Sequence, residues 1–327
     1  MKVLVTDPIT ARFAPILQGG GHEIVLAADL PEEELLAALP GTEIIVCSRL
    51  TEDMARAAGP GLRLVQCTGA GYERIALDAL PPGTAVCNTF HHGRSIAEHV
   101  VMVALMLSRK VLRRDRLVRK GVWESVSADP ALPLGDTLAG RTLGLLGLGE
   151  TGREVARLAQ AFGLRVQATR RDPASPLEDG LHLDRVLPSD QLPELLATSD
   201  IVVVTVPLNE HTRGMIGAAE LNLMRPTALL INVARGPVID EHALYEALAA
   251  DRIAGAGIDV WWPTDGKARG GSTMPFDKLE NVVLTPHNSG HTTETFERRA
   301  RDIAANLTAL AENRPLHNVV LFRGKTG

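Results

Sequence analysis

Residues 143–163 read LGLLGLGETGREVARLAQAFG: an apolar run, glycines at 147, 149 and 152, then an amphipathic helical pattern. A strand that turns so tightly into a helix is covered by that helix, and the next strand then runs parallel to it. The rest of the chain repeats the arrangement. Apolar runs that do not alternate are separated by helical patterns: KVLVT, HEIVLA, EIIVCS, LRLVQCT and TAVCN first, then LRVQATR, DIVVVTVPL, ALLINVARG, IAGAGIDV and NVVLTPH. Strands of this kind are buried on both faces, which indicates parallel sheets packed between helices. A chain of 327 residues exceeds one ordinary core, so two such units are expected.

Helices are expected over ITARFAPILQGG, PEEELLAALP and TEDMARAAG, and over the tail TETFERRARDIAANLTALAENR. One long helix, residues 94–120, is expected to link the two series and to end at Gly121. PTDGKARGGSTMP is the most loop-like segment.

Composition excludes several classes. No apolar run approaches the length of about 18 residues that a membrane span needs. The opening MKVLVTDPIT lacks the apolar core and cleavage site of a secretory signal. A net charge of −5 does not suit a nucleic-acid binder. The one basic run, RKVLRRDRLVRK, reads as the solvated face of an amphipathic helix. Cys47, Cys67 and Cys87 each follow an apolar run, an odd set that reads as buried thiols at strand ends in a reducing cytoplasm. No cluster has the density of a metal site.

Gly147-x-Gly149-x-x-Gly152, placed between a strand and a helix, is the dinucleotide fingerprint. Its first glycine permits the turn, its second admits a diphosphate, and its third lets helix and strand pack closely. Glu150 and Thr151 open the helix, where backbone amides favour an anion. Glu150 would repel phosphate unless its side chain points away. At the end of the next strand Arg170, flanked by Thr169 and Arg171, takes the place of the acid that binds a ribose hydroxyl in NAD-dependent proteins, and Asp172 comes two residues late. This favours NADP over NAD.

Three further strands end in chemistry: INVARG delivers Arg235, AGAGIDV delivers Asp259, and VVLTPH delivers His287. In an open parallel sheet such residues converge beyond the carboxyl ends of the strands. An arginine fork binds a carboxylate, and a histidine exchanges a proton with a hydroxyl or carbonyl oxygen. With a dinucleotide, the set describes hydride transfer on a small, anionic 2-hydroxy or 2-keto acid.

CTGAGYERI, SIAEHV, GLLGLGETG, VPLNEHTRGMI, INVARGPVIDEHAL, AGAGIDV and LTPHNSG together resemble the D-isomer-specific 2-hydroxyacid dehydrogenase family over nearly the whole chain. The resemblance implies an α/β protein of two Rossmann-like domains. The outer, flavodoxin-like domain would comprise 1–93 plus 291–327. The inner, dinucleotide-binding domain would comprise 94–290, linking helix included. It also implies a homodimer formed largely through that helix and the region after it. By resemblance, Arg235 holds the substrate carboxylate and His287 is the acid/base. Asp259 lies near the nicotinamide carboxamide, and the amides of Ala70 and Gly71 help hold the carboxylate. Pro207, Thr212 and Val233 line the cofactor.

Two departures follow. Most of the family has a glutamate five residues after the aspartate matching Asp259. Here that position is Thr264, with Asp265 one residue late. DVWWPT and Ser289 in PHNSG resemble formate dehydrogenases, which need no charged partner for the histidine. His92 stands where those enzymes hold formate with an asparagine. His91 and His92 read equally as contacts for an anionic substrate, a phosphonate included, or as an exposed loop pair. A formate- or phosphonate-type dehydrogenase is therefore the alternative, and a non-catalytic dinucleotide sensor the second. Trp261 and Trp262 are expected to wall the site, or to send one ring into the core.

Overall fold

The computed structural model describes residues 1–178, 180–262 and 271–322. The chain divides into two compact units, residues 1–91 with 291–327, and residues 92–290.

In the first unit, β1 (Lys2–Val5), β2 (Glu23–Leu26), β3 (Ile44–Cys47), β4 (Leu64–Cys67) and β5 (Ala85–Cys87) form a parallel sheet in the order β5-β4-β3-β1-β2. One face buries Leu4, Ile45, Val65 and Val86 against Leu39, Met54 and Ala58 of the helices Glu32–Ala38 and Glu52–Ala58 and their edges. The other buries Val3, Val5, Ile44 and Val46 against Ala300, Ile303 and Leu307 of the C-terminal helix Thr293–Ala311. Burial on both faces is why these strands read as unbroken apolar runs. Cys47, Cys67 and Cys87 are free and buried at the ends of three neighbouring strands.

The second unit holds β6 (Thr142–Leu146), β7 (Arg165–Arg170), β8 (Arg185–Pro188), β9 (Ile201–Val204), β10 (Leu229–Asn232), β11 (Gly255–Ile258) and β12 (Val282–Leu284). All pairings are parallel, in the order β12-β11-β10-β9-β6-β7-β8. Helices Gly93–Ser108 and Glu150–Ala161 cover one face. Helices Leu192–Thr198, Ala218–Leu223 and Glu241–Ala249 cover the other. The chain winds from β6 toward β8, then returns beside β6 and winds the other way, so a topological switch lies between β6 and β9.

Three expectations are corrected. ITARFAPILQGG is not one helix but two single turns, Pro8–Ala11 and Ala14–Leu17, then a 3-10 turn Gln18–Gly20. Pro15 has no amide to continue a helix and sits in the first turn of a new one. The linking helix is also not continuous: Gly93–Ser108 ends, Lys110 adopts a left-handed backbone (φ 50°), and a second helix runs Val111–Arg119. The first piece buries Ile96, Ala97, Val100, Val103 and Ala104 along the sheet, whereas the second buries no residue. Without a core to follow, the chain is free to turn. Finally, the sheet of the first unit is not wholly parallel, because β13 (Val319–Phe322) closes its edge antiparallel to β5.

Among the described residues no helix is long and apolar enough to cross a membrane, and no cluster of His, Cys, Asp and Glu could hold a metal.

Candidate active site

Register across the second sheet places the candidate residues along one edge. Thr169, Leu146, Val204, Asn232, Ile258 and Leu284 pair successively in one row, strand by strand. Each strand then ends within a residue or so, and the next residues leave the sheet along one edge. They are Gly147, Thr205, Val233, Asp259 and Thr285, while Arg170 is the last residue of β7 and still pairs with Pro188. Arg235 and His287 each follow this row by three residues.

At the glycine turn, Gly147 has φ 100°, open to glycine at little cost. A Cβ on Gly152 would stand 2.6 Å from the Gly147 carbonyl oxygen, so helix and turn close only without one. Gly149 differs. Its φ of −79° suits any residue, and a Cβ there would meet no atom within 4 Å. Among the described residues nothing requires a glycine at this position. The space left open there, at the start of helix Glu150–Ala161, fits a diphosphate. Thr205 closes the turn from the neighbouring strand, its hydroxyl donating to the carbonyls of Leu146 (3.1 Å) and Gly147 (2.9 Å).

Glu150 packs beside Gly93: a Cβ on Gly93 would lie 3.3 Å from Oε1 of Glu150 and 3.1 Å from Cγ of Glu154. Oε2 of Glu150 is buried with no hydrogen-bond partner among the described residues. Thr151, next on the helix, is half-buried.

At the end of β7, Thr169 is buried, Arg170 half-buried and Arg171 exposed. Asp172 turns into its own loop, accepting from the amide of Ala174 (3.1 Å) and from the hydroxyl of Ser175 (2.5 Å). Those hydrogen bonds hold its carboxyl below the usual range. Past β9, exposed Pro207 accepts from the buried Thr212 hydroxyl (2.6 Å), which itself accepts from the amide of Asn209 (2.9 Å). Thr212 is thus the lock of that loop.

Val233 is buried at the end of β10. Arg235 is half-buried, its Nη1 2.8 Å from the carbonyl of Ala234. Asn232 braces the turn, donating to the carbonyl of Arg235 (3.0 Å) and accepting from the amide of Ala234 (3.1 Å). Gly236 lets this turn lie on the Trp261–Trp262 peptide: a Cβ there would be 2.3 Å from the Trp261 carbonyl oxygen.

Asp259 is 1% exposed, and the structure shows what its carboxylate does. Oδ1 accepts from the Thr285 hydroxyl (2.6 Å) and the Asn288 amide (3.0 Å), and Oδ2 from the Ser289 amide (3.1 Å). Burial pushes this carboxyl up, but the hydrogen bonds from Ser289, Thr285 and Asn288 outweigh it and bring it below its ordinary value. Asp259 therefore clasps the loop on which exposed His287 sits with a left-handed backbone, φ 57°. Ser289 is buried in that clasp. Trp261 donates from Nε1 to the carbonyl of Thr285 (2.9 Å) and so buttresses the same loop. Trp262 enters the core, stacked on Phe276 with Nε1 on the carbonyl of Ile239 (2.8 Å). Thr264 and Asp265 lie outside the described residues. Trp262 and Gly271, on either side, are joined by a backbone hydrogen bond of 2.9 Å.

The histidine pair is divided. His91 belongs to the first unit, where its Nε2 lies 2.7 Å from Asp302 on the C-terminal helix. His92 belongs to the second, at the start of helix Gly93–Ser108, its carbonyl accepting from the Ser95 hydroxyl (3.0 Å). Ala70 and Gly71 are half-buried in the loop after β4. Asn88 donates to the carbonyl of Ala70 (2.8 Å) and Arg299 to that of Phe90 (2.8 Å). Sequence reasoning missed Thr205, Thr285, His99, Asn88 and Arg299. His99 and Thr285 lie inside quoted motifs and Thr205 inside a quoted strand run, but each acts on a segment remote along the chain, and no local pattern names that partner.

The pattern of the D-isomer specific 2-hydroxyacid dehydrogenase NAD binding domain matches residues 101–289. The chain belongs to this family. It is 38% identical over 258 residues to a glyoxylate reductase of Korarchaeum cryptofilum, covering 76% of this chain and 73% of that one. It is 32% identical over 324 residues to a D-3-phosphoglycerate dehydrogenase of Archaeoglobus fulgidus, covering 98% of this chain but only 59% of that longer relative. Among solved structures, an acyclic imino acid reductase (Bsp5) in complex with NADPH and D-Arg matches with a TM-score of 0.80 and 27% identity, over 98% of both chains or better. The family relation makes the protein an NAD(P)-dependent oxidoreductase.

Proposed function

We propose that this protein exchanges a hydride between a nicotinamide dinucleotide, held by residues 92–290, and a small 2-keto or 2-hydroxy acid. The observation that carries the reading is the common row. The glycine turn, Val233, Arg235, Asp259 and the His287 loop all leave one sheet edge, on both sides of the switch between β6 and β9. Ligands of open parallel sheets lie there.

Residues divide the work. Gly149 and the first amides of helix Glu150–Ala161 receive the diphosphate, and Pro207, Thr212 and Val233 line the rest of the dinucleotide. Arg235 presents its fork to the substrate carboxylate and fixes which face of C2 is open. His287 gives a proton to the keto oxygen in reduction and takes it from the hydroxyl in oxidation. When bound, the dinucleotide supplies or accepts the hydride at C2. The proton and hydride together convert a keto acid to a hydroxy acid.

A panel of 2-keto acids, glyoxylate included, with reduced cofactor tests this. Oxidation of the cofactor by at least one is expected; none would overturn the reading. Arg235→Ala is expected to lower kcat/KM by about a hundredfold or more, largely through KM. His287→Ala is expected to lower kcat by about 10²- to 10⁴-fold.

Arg170 and Arg171 stand at the end of β7, and Asp172, the carboxylate next in sequence, is committed to its own loop. This supports NADP over NAD. A higher kcat/KM with NADH than with NADPH would reverse the assignment.

The working form is a homodimer. Helix Val111–Arg119 has no fully buried residue, and Val111, Leu112, Val118, Val122, Trp123 and Leu134 are exposed on it or after it, Trp123 by 75% and Leu134 by 80%. A second copy covers such a surface with least exposed apolar area. Sedimentation of the protein and of Trp123→Asp should give a dimer and a monomer.

A further inference from the structure

His99 stands half-buried on helix Gly93–Ser108, with Nε2 3.5 Å from the Thr285 hydroxyl, a long hydrogen bond. The same hydroxyl is 2.6 Å from Oδ1 of Asp259. An ionised carboxylate only accepts, so the single hydroxyl proton of Thr285 points to Asp259. What is left to the hydroxyl on the other side is a lone pair, and His99 meets it with an Nε2–H. This selects the Nε2–H form of the neutral imidazole.

The chain of contacts continues beyond Asp259. Its oxygens also hold the amides of Asn288 and Ser289, the two residues that follow His287. Thr285 is gripped at both ends, its hydroxyl between His99 and Asp259 and its carbonyl by Trp261. His287 itself adopts a left-handed backbone, which a non-glycine residue keeps only where its surroundings impose it.

We propose that His99 is a positioning residue for His287: by donating to Thr285 it aims that hydroxyl at Asp259, and so holds the loop Thr285–Ser289 in the form that presents the His287 imidazole. The proposal deepens the dehydrogenase reading, because a held His287 matters only if it transfers a proton. Its structural half stands without that reading.

The test uses the full chain with His99→Leu, which removes the donor, and His99→Gln, whose Nε2 amide donates from nearly the same place. Thr285→Val removes the hydroxyl from the other side, should His99→Leu fail to fold. Amide hydrogen exchange at Asn288 and Ser289 is measured without substrate. Steady-state reduction of glyoxylate is measured alongside. His99→Leu and Thr285→Val should each speed exchange at both amides by about tenfold or more and lower kcat by a similar factor, with KM within about twofold. His99→Gln should restore both. Exchange at wild-type rates in His99→Leu and Thr285→Val overturns the proposal, and so does failure of His99→Gln to restore it. If the unaltered protein turns over no keto acid, the dehydrogenase reading falls, while the exchange result still decides the role of His99.

Discussion

Asp259 has two oxygens and three donors converge on them, from Thr285, Asn288 and Ser289. An asparagine there would replace one acceptor with a donor facing a donor. Asp259→Asn should therefore lower unfolding stability by about 1–3 kcal/mol, the cost of a buried polar group left unpaired. Chemical denaturation measures it, and an unchanged midpoint would mean the clasp holds nothing. Glu150 poses the opposite case. It places a negative charge one residue from Gly149, with one buried oxygen lacking a partner among the described residues. Glu150→Gln removes that charge and should tighten NADPH binding several-fold, about 1 kcal/mol, as read by quenching or energy transfer from tryptophan. Weaker binding would show that the carboxylate itself contacts the dinucleotide. Both residues were visible in the sequence, but their contacts were not. From its strand end Asp259 reads only as a residue facing a common crevice, and by resemblance as one near the cofactor, whereas the loop it clasps returns from β12.

Strand ends also decide the behaviour of the thiols. Cys47 pairs in register with Cys67, and Cys87 lies beside Gln66 one strand over. Burial pushes all three thiols up, Cys67 to about 12 and Cys87 to about 11. A thiolate is the reactive form. The native protein should therefore resist a disulfide reagent at pH 8 and yield all three thiols only on unfolding, at the unfolding rate. Rapid labelling of any one in the native state would contradict the burial of that sheet. The elements themselves were legible to unequal degrees. The inner strands declare themselves because both faces of each sheet are covered, so their apolar runs do not alternate. RVLP and VVLF escape notice, being short edge strands, Val319 of the latter 47% exposed. The break at Lys110 escapes too, since no glycine or proline marks it.

Over the whole molecule, acid should be the weak direction. Burial lowers His99, opposed by Asp259, and lowers His22, helped by the N-terminal amine and opposed by Glu43. A histidine below its ordinary 6.5 stays neutral while the unfolded chain takes up a proton. The unfolded state then binds more protons, so stability falls as pH drops through the ordinary imidazole value and levels off below the folded one. Asp259, whose folded carboxyl is depressed, adds a second loss only at lower pH, as pH falls through its folded value. Melting temperature should accordingly drop between about pH 7.5 and 5.5, and His99→Gln should shallow that drop without abolishing it, His22 remaining. Fold class was thus readable from pattern, and the residues that the motifs single out fall along one sheet edge. The supports behind the site were not readable, because they join residues far apart in sequence, His99 to Thr285 across 186 positions. One of those supports reaches past this protein's own chemistry. The hydrogen bond between Trp262 and Gly271, with Trp262 rooted in the core, pins both ends of the segment that contains Thr264. Both flanks of that segment are thus referred to the core of the second unit, and Trp262, stacked on Phe276, serves as an internal optical marker of whether a nearby substitution disturbs that core.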